Sequence, residues 1–214
     1  MESPAPSIRP ANPLARTLAS KALADVVTYF VLYPEAAPHF RALQRVTGIS
    51  SRSLQHELAR LLELGMIRRE KDGRLVRYRA VAGHPRWSVF RSMVREFADP
   101  GELLRIAVSH VPGVEGAFIY GSFARGDMHA ESDIDVFALG DALDEPETRY
   151  ELAAGTLEAS GLLGREVNVT RYTPTKLASR RAQGSRFLQS VLAGDKKWLV
   201  GDEKMLNPVA GQES

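Results

Sequence analysis

Cysteine is absent from the chain. That removes a disulfide framework, thiolate zinc sites, CxxC redox chemistry and a cysteine nucleophile together, and it fits a reducing compartment. Long apolar runs are missing too. The densest, Val26 to Leu32, falls far short of the roughly 18 to 20 residues that a bilayer-spanning helix requires. Residues 1–16 carry Pro4, Pro6, Pro10 and Pro13 without an apolar core, so they are expected to form a flexible arm and not a signal peptide. Together these absences predict a cytoplasmic protein with no membrane attachment. Aromatics are sparse at 7%, but 44% hydrophobic and 25% charged residues match ordinary globular usage and exclude disorder throughout. A length of 214 residues suffices for one large domain or two small ones.

The net charge of +2 conceals an uneven division. Residues 41–80 hold ten Arg/Lys against four Asp/Glu, whereas residues 113–168 hold three Arg against twelve Asp/Glu. A basic module and an acidic module therefore share the chain. Such asymmetry points to polyanion binding in the first and to a carboxylate-rich or cation-binding site in the second, unless both are simply solvated faces.

Within the basic module, Leu23, Val26, Val27, Phe30 and Val31 recur at helical spacing before Pro34, which predicts an amphipathic helix. A second helix is expected with Phe40, Leu43 and Val46 on one face and Gly48 at its end. A third follows, with Ser50 or Ser51 as cap, a stripe of Leu54, Leu58, Leu61 and Leu62, and Gly65 as the left-handed terminator. Met66 to Glu70 and Arg74 to Ala80 then read as a hairpin about Lys71, Asp72 and Gly73. On its second strand Val76, Tyr78 and Ala80 are expected to pack inward while Arg77 and Arg79 line the other face.

The run TGISSRSLQHELARLLELGMIRREKDGRLVRYRAV resembles the winged helix-turn-helix domains of ArsR- and MarR-type regulators. That resemblance implies that Arg52, Ser53, Gln55 and His56 enter the major groove of double-stranded DNA. It also implies that Arg68, Arg69, Arg74 and Arg77 meet phosphates, and that the protein acts as a homodimer. The alternative use of such a module is protein interaction or dimerisation. Residues 84–111 read as two connecting helices broken at Asp99, Pro100 and Gly101, with Trp87, Phe90, Val94 and Phe97 packing between domains or across a dimer.

The acidic module carries the chemistry. An apolar strand, Val114 to Tyr120, runs into Gly121, Ser122, Phe123, Ala124, Arg125 and Gly126, and Ser132, Asp133, Ile134, Asp135 and Val136 open the next strand. Residues two apart on a strand project from one face about 6.5 to 7 Å apart. Asp133 and Asp135 are thus expected to converge while Ile134 and Val136 enter the core. A hard divalent cation relieves the repulsion of two such carboxylates, and Mg2+ (or Mn2+) is commonly held by one or two carboxylates plus substrate phosphates. Gly121 permits close backbone approach, Ser122 offers a hydroxyl, and a helix beginning there would aim N–H groups at an anion. Arg125 can reach that phosphate, or pair with Asp127 or Glu131.

GSFARGDMHAESDIDVFAL closely resembles the signature of the polymerase-β-like nucleotidyltransferases, particularly their minimal form. The resemblance implies Asp133 and Asp135 as catalytic metal ligands and Gly121, Ser122 and Arg125 as contacts to a nucleoside triphosphate. It further implies a third carboxylate on a later strand. On the strand expected over Arg165 to Tyr172, that position is Asn168, which cannot accept a proton at neutral pH; Glu166 lies one repeat away on the same face.

The remainder reads as scaffold. Pro146 to Ser160 is expected as a helix with Tyr150, Ala153, Ala154 and Leu157 inward. Thr173 and Pro174 read as helix cap and first turn, Phe187, Leu188, Val191 and Leu192 as an apolar stripe, and Lys197 to Val200 as a last strand. Arg180, Arg181 and Arg186 lie on a solvated face or aid acceptor binding. His39, His84, His110 and His129 show no ligand spacing, and only His129 lies near the Asp pair.

The expected architecture is a two-domain α/β protein. It comprises an arm (1–16), a winged helix-turn-helix (17–83), connecting helices (84–111), a minimal nucleotidyltransferase domain (112–201) and a polar tail (202–214). Two functions fit. One is a DNA-binding transcriptional regulator whose second domain binds Mg2+ and a nucleoside triphosphate. The other is a dedicated nucleotidyltransferase acting on tRNA, protein or a small molecule, with a toxin–antitoxin partner protein in one version, whose basic module recruits substrate or represses its own operon.

Overall fold

The computed structural model describes residues 13–127 and 132–206. His129, Glu131, most of the expected arm and most of the expected tail lie outside the described residues. The chain divides into two compact units, Met1–Asp99 and Pro100–Ser214. Among the described residues no helix is long and apolar enough to cross a membrane.

The first unit opens with α1 (Pro13–Thr17), which corrects the arm expectation at its end. Leu14 is fully buried, and one anchored leucine suffices to order a short turn against α2 and α5. The central helix is α2 (Lys21–Leu32), buried continuously from Leu23 to Leu32. Around it pack α3 (Phe40–Thr47) and α4 (Ser51–Glu63), then β1 (Ile67–Asp72), β2 (Leu75–Ala80) and α5 (Pro85–Phe97). Local chemistry sets the boundaries. His39 Nδ1 accepts from Ala42 N to cap α3, Gly48 ends it with φ +69°, and Ser50 caps α4 by accepting from Ser53 N.

The hairpin turn falls one residue later than expected. Asp72 pairs with Leu75, so the connection is Gly73-Arg74, with Gly73 at φ +59°, the position where a two-residue turn with glycine first needs positive φ. Leu75 and Val76 stand at the exposed tip beside this turn, so Val76 does not pack inward. Tyr78 and Ala80 do.

Trp87 also departs from expectation. Its ring packs on Phe30 at 5.9 Å between centroids, and its Nε1 donates to Met66 O at 3.1 Å. The tryptophan therefore completes the core of its own unit, and Phe97 is exposed. The segment 84–111 is shared out, α5 packing on α1 and α2 in the first unit and the next helix lying in the second.

The second unit contains α6 (Pro100–His110), β3 (Gly116–Tyr120), α7 (Ser122–Arg125), β4 (Ile134–Leu139), α8 (Pro146–Leu163), β5 (Val167–Tyr172), α9 (Pro174–Ala182), α10 (Arg186–Ala193) and β6 (Lys197–Val200). The strands form one sheet in the order β5-β4-β3-β6, with β4 parallel to β5 and antiparallel to β3. One face, with Ile119, Ile134 and Val136, is buried where α6 and α8 pack; the other, with Phe118, Phe137 and Leu139, packs on Leu177 of α9 and Leu188 and Val191 of α10. Leu206, inside the expected polar tail, joins that second cluster.

The expected inward face of α8 is reversed. Tyr150 and Leu157 are 76% and 75% exposed, with Ala153 and Ala154 exposed beside them. The buried stripe is Thr148, Leu152, Gly155, Thr156, Ala159 and Leu162. Small residues at helical spacing let α8 approach α6 closely, and Thr156 Oγ1 donates to Leu152 O so that this buried hydroxyl is satisfied.

One buried polar link ties the first unit together. Ser20 accepts from Leu23 N to cap α2 and donates to Glu57 Oε1 at 2.8 Å on α4, where Glu57 is 5% exposed. Ser20→Ala removes the cap and strands a buried carboxylate oxygen, so we expect a loss of about 2 kcal/mol in urea unfolding. Ser20→Thr should retain most of the stability; equal loss in both variants would show that this link is not the cause.

Candidate active site

Three strands bring the site together in one row. Tyr120 at the end of β3 pairs with Asp135 of β4, and Asp135 pairs with Asn168 of β5. Ile134 and Val136, which flank Asp135, are fully buried, so β4 cannot slip by one residue without driving a carboxylate into the core. Asp133 precedes the strand and is exposed.

Gly121 follows β3 at φ +75°, ψ −147°, and a Cβ there would stand 3.1 Å from Asp135 Oδ2. Glycine is required on both counts, since L side chains avoid that backbone region and any side chain would press on the carboxylate. The helix expected after it is a single turn, α7, closed by Gly126 at φ +79°. One turn sums few peptide dipoles. Anion holding at this turn would rest on its local N–H groups and the half-buried Ser122, and not on a helix macrodipole. Arg125 Nε pairs with Asp127 Oδ2 at 3.2 Å, and both side chains are largely exposed. Such a surface pair is worth little, so the guanidinium can exchange partners readily.

Burial first and Asp133 second push the Asp135 carboxyl above its ordinary value. Two oxygen-donor carboxylates crowded in this way suit a hard divalent cation, which would relieve the repulsion that raises Asp135. The third member of the cluster is not acidic. Asn168 Nδ2 donates to Asp133 Oδ2 at 3.4 Å, so the amide steadies the pair and takes up no proton. Glu166 does not replace it. Its exposed side chain lines a groove with Leu152, Leu157, Val167 and Val169 between α8 and β5, and among the described residues the charge that raises Asp135, after burial, is that of Asp133. Among the described residues no group of three or more His, Asp or Glu side chains could hold a metal.

One participant escapes sequence reading. Tyr120 Oη and Thr170 Oγ1 share a hydrogen bond of 3.1 Å from β3 to β5 across the face of β4. Burial, the leading influence, raises the Tyr120 pKa and keeps the phenol protonated. Alternation places both side chains on the Asp135 face, but only the register shows that they meet. Beside this bridge a cavity of about 490 Å3 is lined by Tyr120, Gly121, Arg125, Phe187, Ser190 and Asp195.

In the first unit, Arg52, Ser53, Gln55 and His56 are all exposed on the first half of α4. The hairpin arginines divide. Arg77 Nε pairs with Asp72 and its Nη1 donates to Ala37 O, while Arg68 and Arg79 both bond Glu70. Arg77 thus holds the loop before α3. Arg69 lies over the Tyr78 ring at 6.0 Å. Arg74 sits at the exposed turn.

A carboxyl whose folded value is raised contributes stability that is complete below its ordinary value, 3.8 for Asp135, and lost as pH rises through the raised value. Asp135→Asn should therefore melt above wild type at pH 7 without divalent cations, and this difference should vanish below pH 3.8. Mg2+ should raise the melting temperature of wild type but not of the Asp133→Asn, Asp135→Asn double variant. An equal response to Mg2+ in both proteins would eliminate the carboxylate pair as a cation site.

Residues 102–185 match the family described as Polymerase beta, Nucleotidyltransferase. A crystal structure of a toxin-antitoxin with AMP-PNP is similar at 21% identity, covering 50% of this chain and 76% of that one, with a TM-score of 0.36. Comparison with curated proteins finds no match. The row of Tyr120, Asp135 and Asn168 lies within residues 102–185, the stretch that is similar to the family described as Polymerase beta, Nucleotidyltransferase.

Proposed function

We propose that the second unit transfers a nucleotidyl group from a nucleoside triphosphate to an acceptor hydroxyl, and that the first unit recruits the acceptor. The observation that carries this reading is the placement of Asp135 against the Gly121 turn, where a Cβ on Gly121 would stand 3.1 Å from Asp135 Oδ2, with Asp133 two residues before it. Asp133 and Asp135 would hold Mg2+, which supplies neutralisation of charge on the α-phosphate and pyrophosphate. The Gly121 backbone and Ser122 hydroxyl bind the terminal phosphates, and Arg125 turns from Asp127 towards them.

In the transfer, the acceptor oxygen bonds to the α-phosphorus and the bond from that phosphorus to the α,β-bridging oxygen breaks. Pyrophosphate leaves with the electron pair. The acceptor proton passes to water, because Asn168 offers no basic atom. Loss of a general base typically removes about 10² to 10⁴ of rate, while triphosphate binding depends on other residues. Asn168→Asp should therefore raise transfer at least about tenfold with Mg-ATP binding unchanged, measured with labelled triphosphates and total cell RNA and protein. Rapid wild-type turnover that Asn168→Asp does not improve, but Glu166→Gln abolishes, would overturn this account of the proton.

A second reading, a DNA-binding winged helix, draws support from the exposed Arg52, Gln55 and His56 on α4 and the exposed Arg74 at the hairpin turn. Arg52→Ala should cost about 1 to 3 kcal/mol of sequence discrimination on duplex DNA, if it reads guanine. Arg74→Ala should weaken all sequences alike and reduce the salt slope. Absence of binding to the protein's own upstream region, or affinity independent of salt, would sink this reading.

A further inference from the structure

The second unit leaves one sheet edge and one helix face without cover among the described residues. β5 stands at the end of the order β5-β4-β3-β6 and pairs with β4 alone. Glu166 O and Tyr172 O accept from Ile134 N and Gly140 N. In this parallel ladder the even-numbered residues of β5 therefore turn their backbone groups to β4, and Val167, Val169 and Arg171 turn theirs outward. No bond to those outward groups is made among the described residues. The opposite edge is blunted: β6 has four residues, starts at Lys197, and its register against β3 shifts at Ala117 and Phe118. β5 pairs regularly along its whole length and lacks proline.

A groove of about 460 Å3 between α8 and β5 adjoins the open edge. Val167, Val169 and Arg171 line it from the strand, and Ala153 and Leu157 from the helix. Leu157 belongs to the exposed apolar stripe of α8. Glu166, just before the strand, lines the groove as well. The exposed side chains of Glu166 and Arg171 make no hydrogen bond or ion pair among the described residues. The edge thus carries an acid at one end, a base at the other and valines between, a pattern complementary to its own reverse.

We propose that a second copy of this chain docks here, β5 against β5 in antiparallel, about a two-fold axis through Val169 and normal to the sheet. Val169 then faces Val169 of the second copy and Val167 faces Arg171, so each outward N–H and C=O of these residues finds a partner. Arg171 arrives beside Glu166 of the second copy, twice by symmetry. Charge also selects the register. An axis through Asn168 would set Arg171 opposite Arg165, and an axis through Thr170 would bring the two Arg171 side chains together diagonally. The two α8 helices come to lie on one side of the joined sheet and run antiparallel, which covers Leu157 where it borders the groove. On the other face Asn168 stands opposite Thr170 of the second copy, so that copy borders the hydrogen-bonded pair of Asn168 and Asp133.

The test is the solution mass of the full chain, by sedimentation equilibrium up to about 0.1 mM. Wild type should reach twice the 23.6 kDa of one chain. Because position 169 faces itself, Val169→Asp and Val169→Lys should each weaken self-association at least about tenfold, and an equal mixture of the two should recover it. Arg171→Glu should weaken it too, and combining Arg171→Glu with Glu166→Arg should restore it. Absence of native cysteine allows a check that introduces no charge into the groove. Oxidised Val169→Cys should form a disulfide-linked pair, and this result decides if circular dichroism shows the charged variants to be unfolded. A wild type that stays a single chain leaves the edge to another occupant and overturns the proposal. A dimer that folded Val169→Asp and Val169→Lys leave intact also overturns it, as does linkage through Phe97→Cys of the first unit without linkage through Val169→Cys.

Discussion

Asp133 and Asp135 repel each other, and the second unit is organised so that they must nevertheless stay together. Their strand lies inside the sheet, between β3 and β5, with Ile134 and Val136 buried on the face opposite Asp135. Burial of those side chains, at about 25 cal/mol per Å2 of apolar surface, offsets the electrostatic cost of the pair. Gly121 then closes the Asp135 side without a Cβ, and Asn168 donates to Asp133. Burial first and the Asp133 charge second raise the Asp135 pKa, and a cation would offset both. A site of this kind is least comfortable when empty and gains most from its ligand.

Asn168 changes the balance between holding and reacting. A carboxylate at that place would supply a proton acceptor. An amide instead donates a hydrogen bond to Asp133 and makes the apo site easier to fold. In the proposed transfer such a row favours holding the triphosphate over rapid reaction, and acceptor placement then carries more of the rate.

The charge asymmetry of the sequence acquires a different meaning in three dimensions. Much of the basic character of the first unit is internal bookkeeping: Arg77 and Arg79 hold the loop between α2 and α3 through Ala37 O and Glu35 O, and Arg68 and Arg79 depress the Glu70 pKa together, Arg79 most. The exposed cations of α4 and of the hairpin turn are fewer than the count of arginines suggests. The second unit, conversely, carries exposed cations just beyond the acidic segment at Arg171 and Arg180, whose side chains make no hydrogen bond or ion pair among the described residues. Net charge over a segment therefore says little about the charge of any one surface.

Helix caps and strand periodicity were legible because they depend on neighbours in sequence. Ser50, Gly48, Thr173 and Pro174 stand where their own hydrogen bonds and backbone preferences place them. The Gly-Ser turn and the Asp pair were legible for the same reason, since both are short patterns on adjacent positions. Pairing between distant segments was not. The exposed stripe of α8, with Tyr150 and Leu157 outward, was misread because larger apolar residues outweigh small ones in a pattern, whereas close packing on α6 demanded Gly155, Thr156 and Ala159. Trp87 filling its own core and Tyr120 reaching Thr170 across β4 likewise follow from register and packing. The sequence by itself determined where chain segments begin, end and turn and which residues can bear charge or metal, because those are local energies. Only the tertiary structure decided which of those residues share a face, which arginines are already occupied and which edge is open, because these depend on what each segment is packed against.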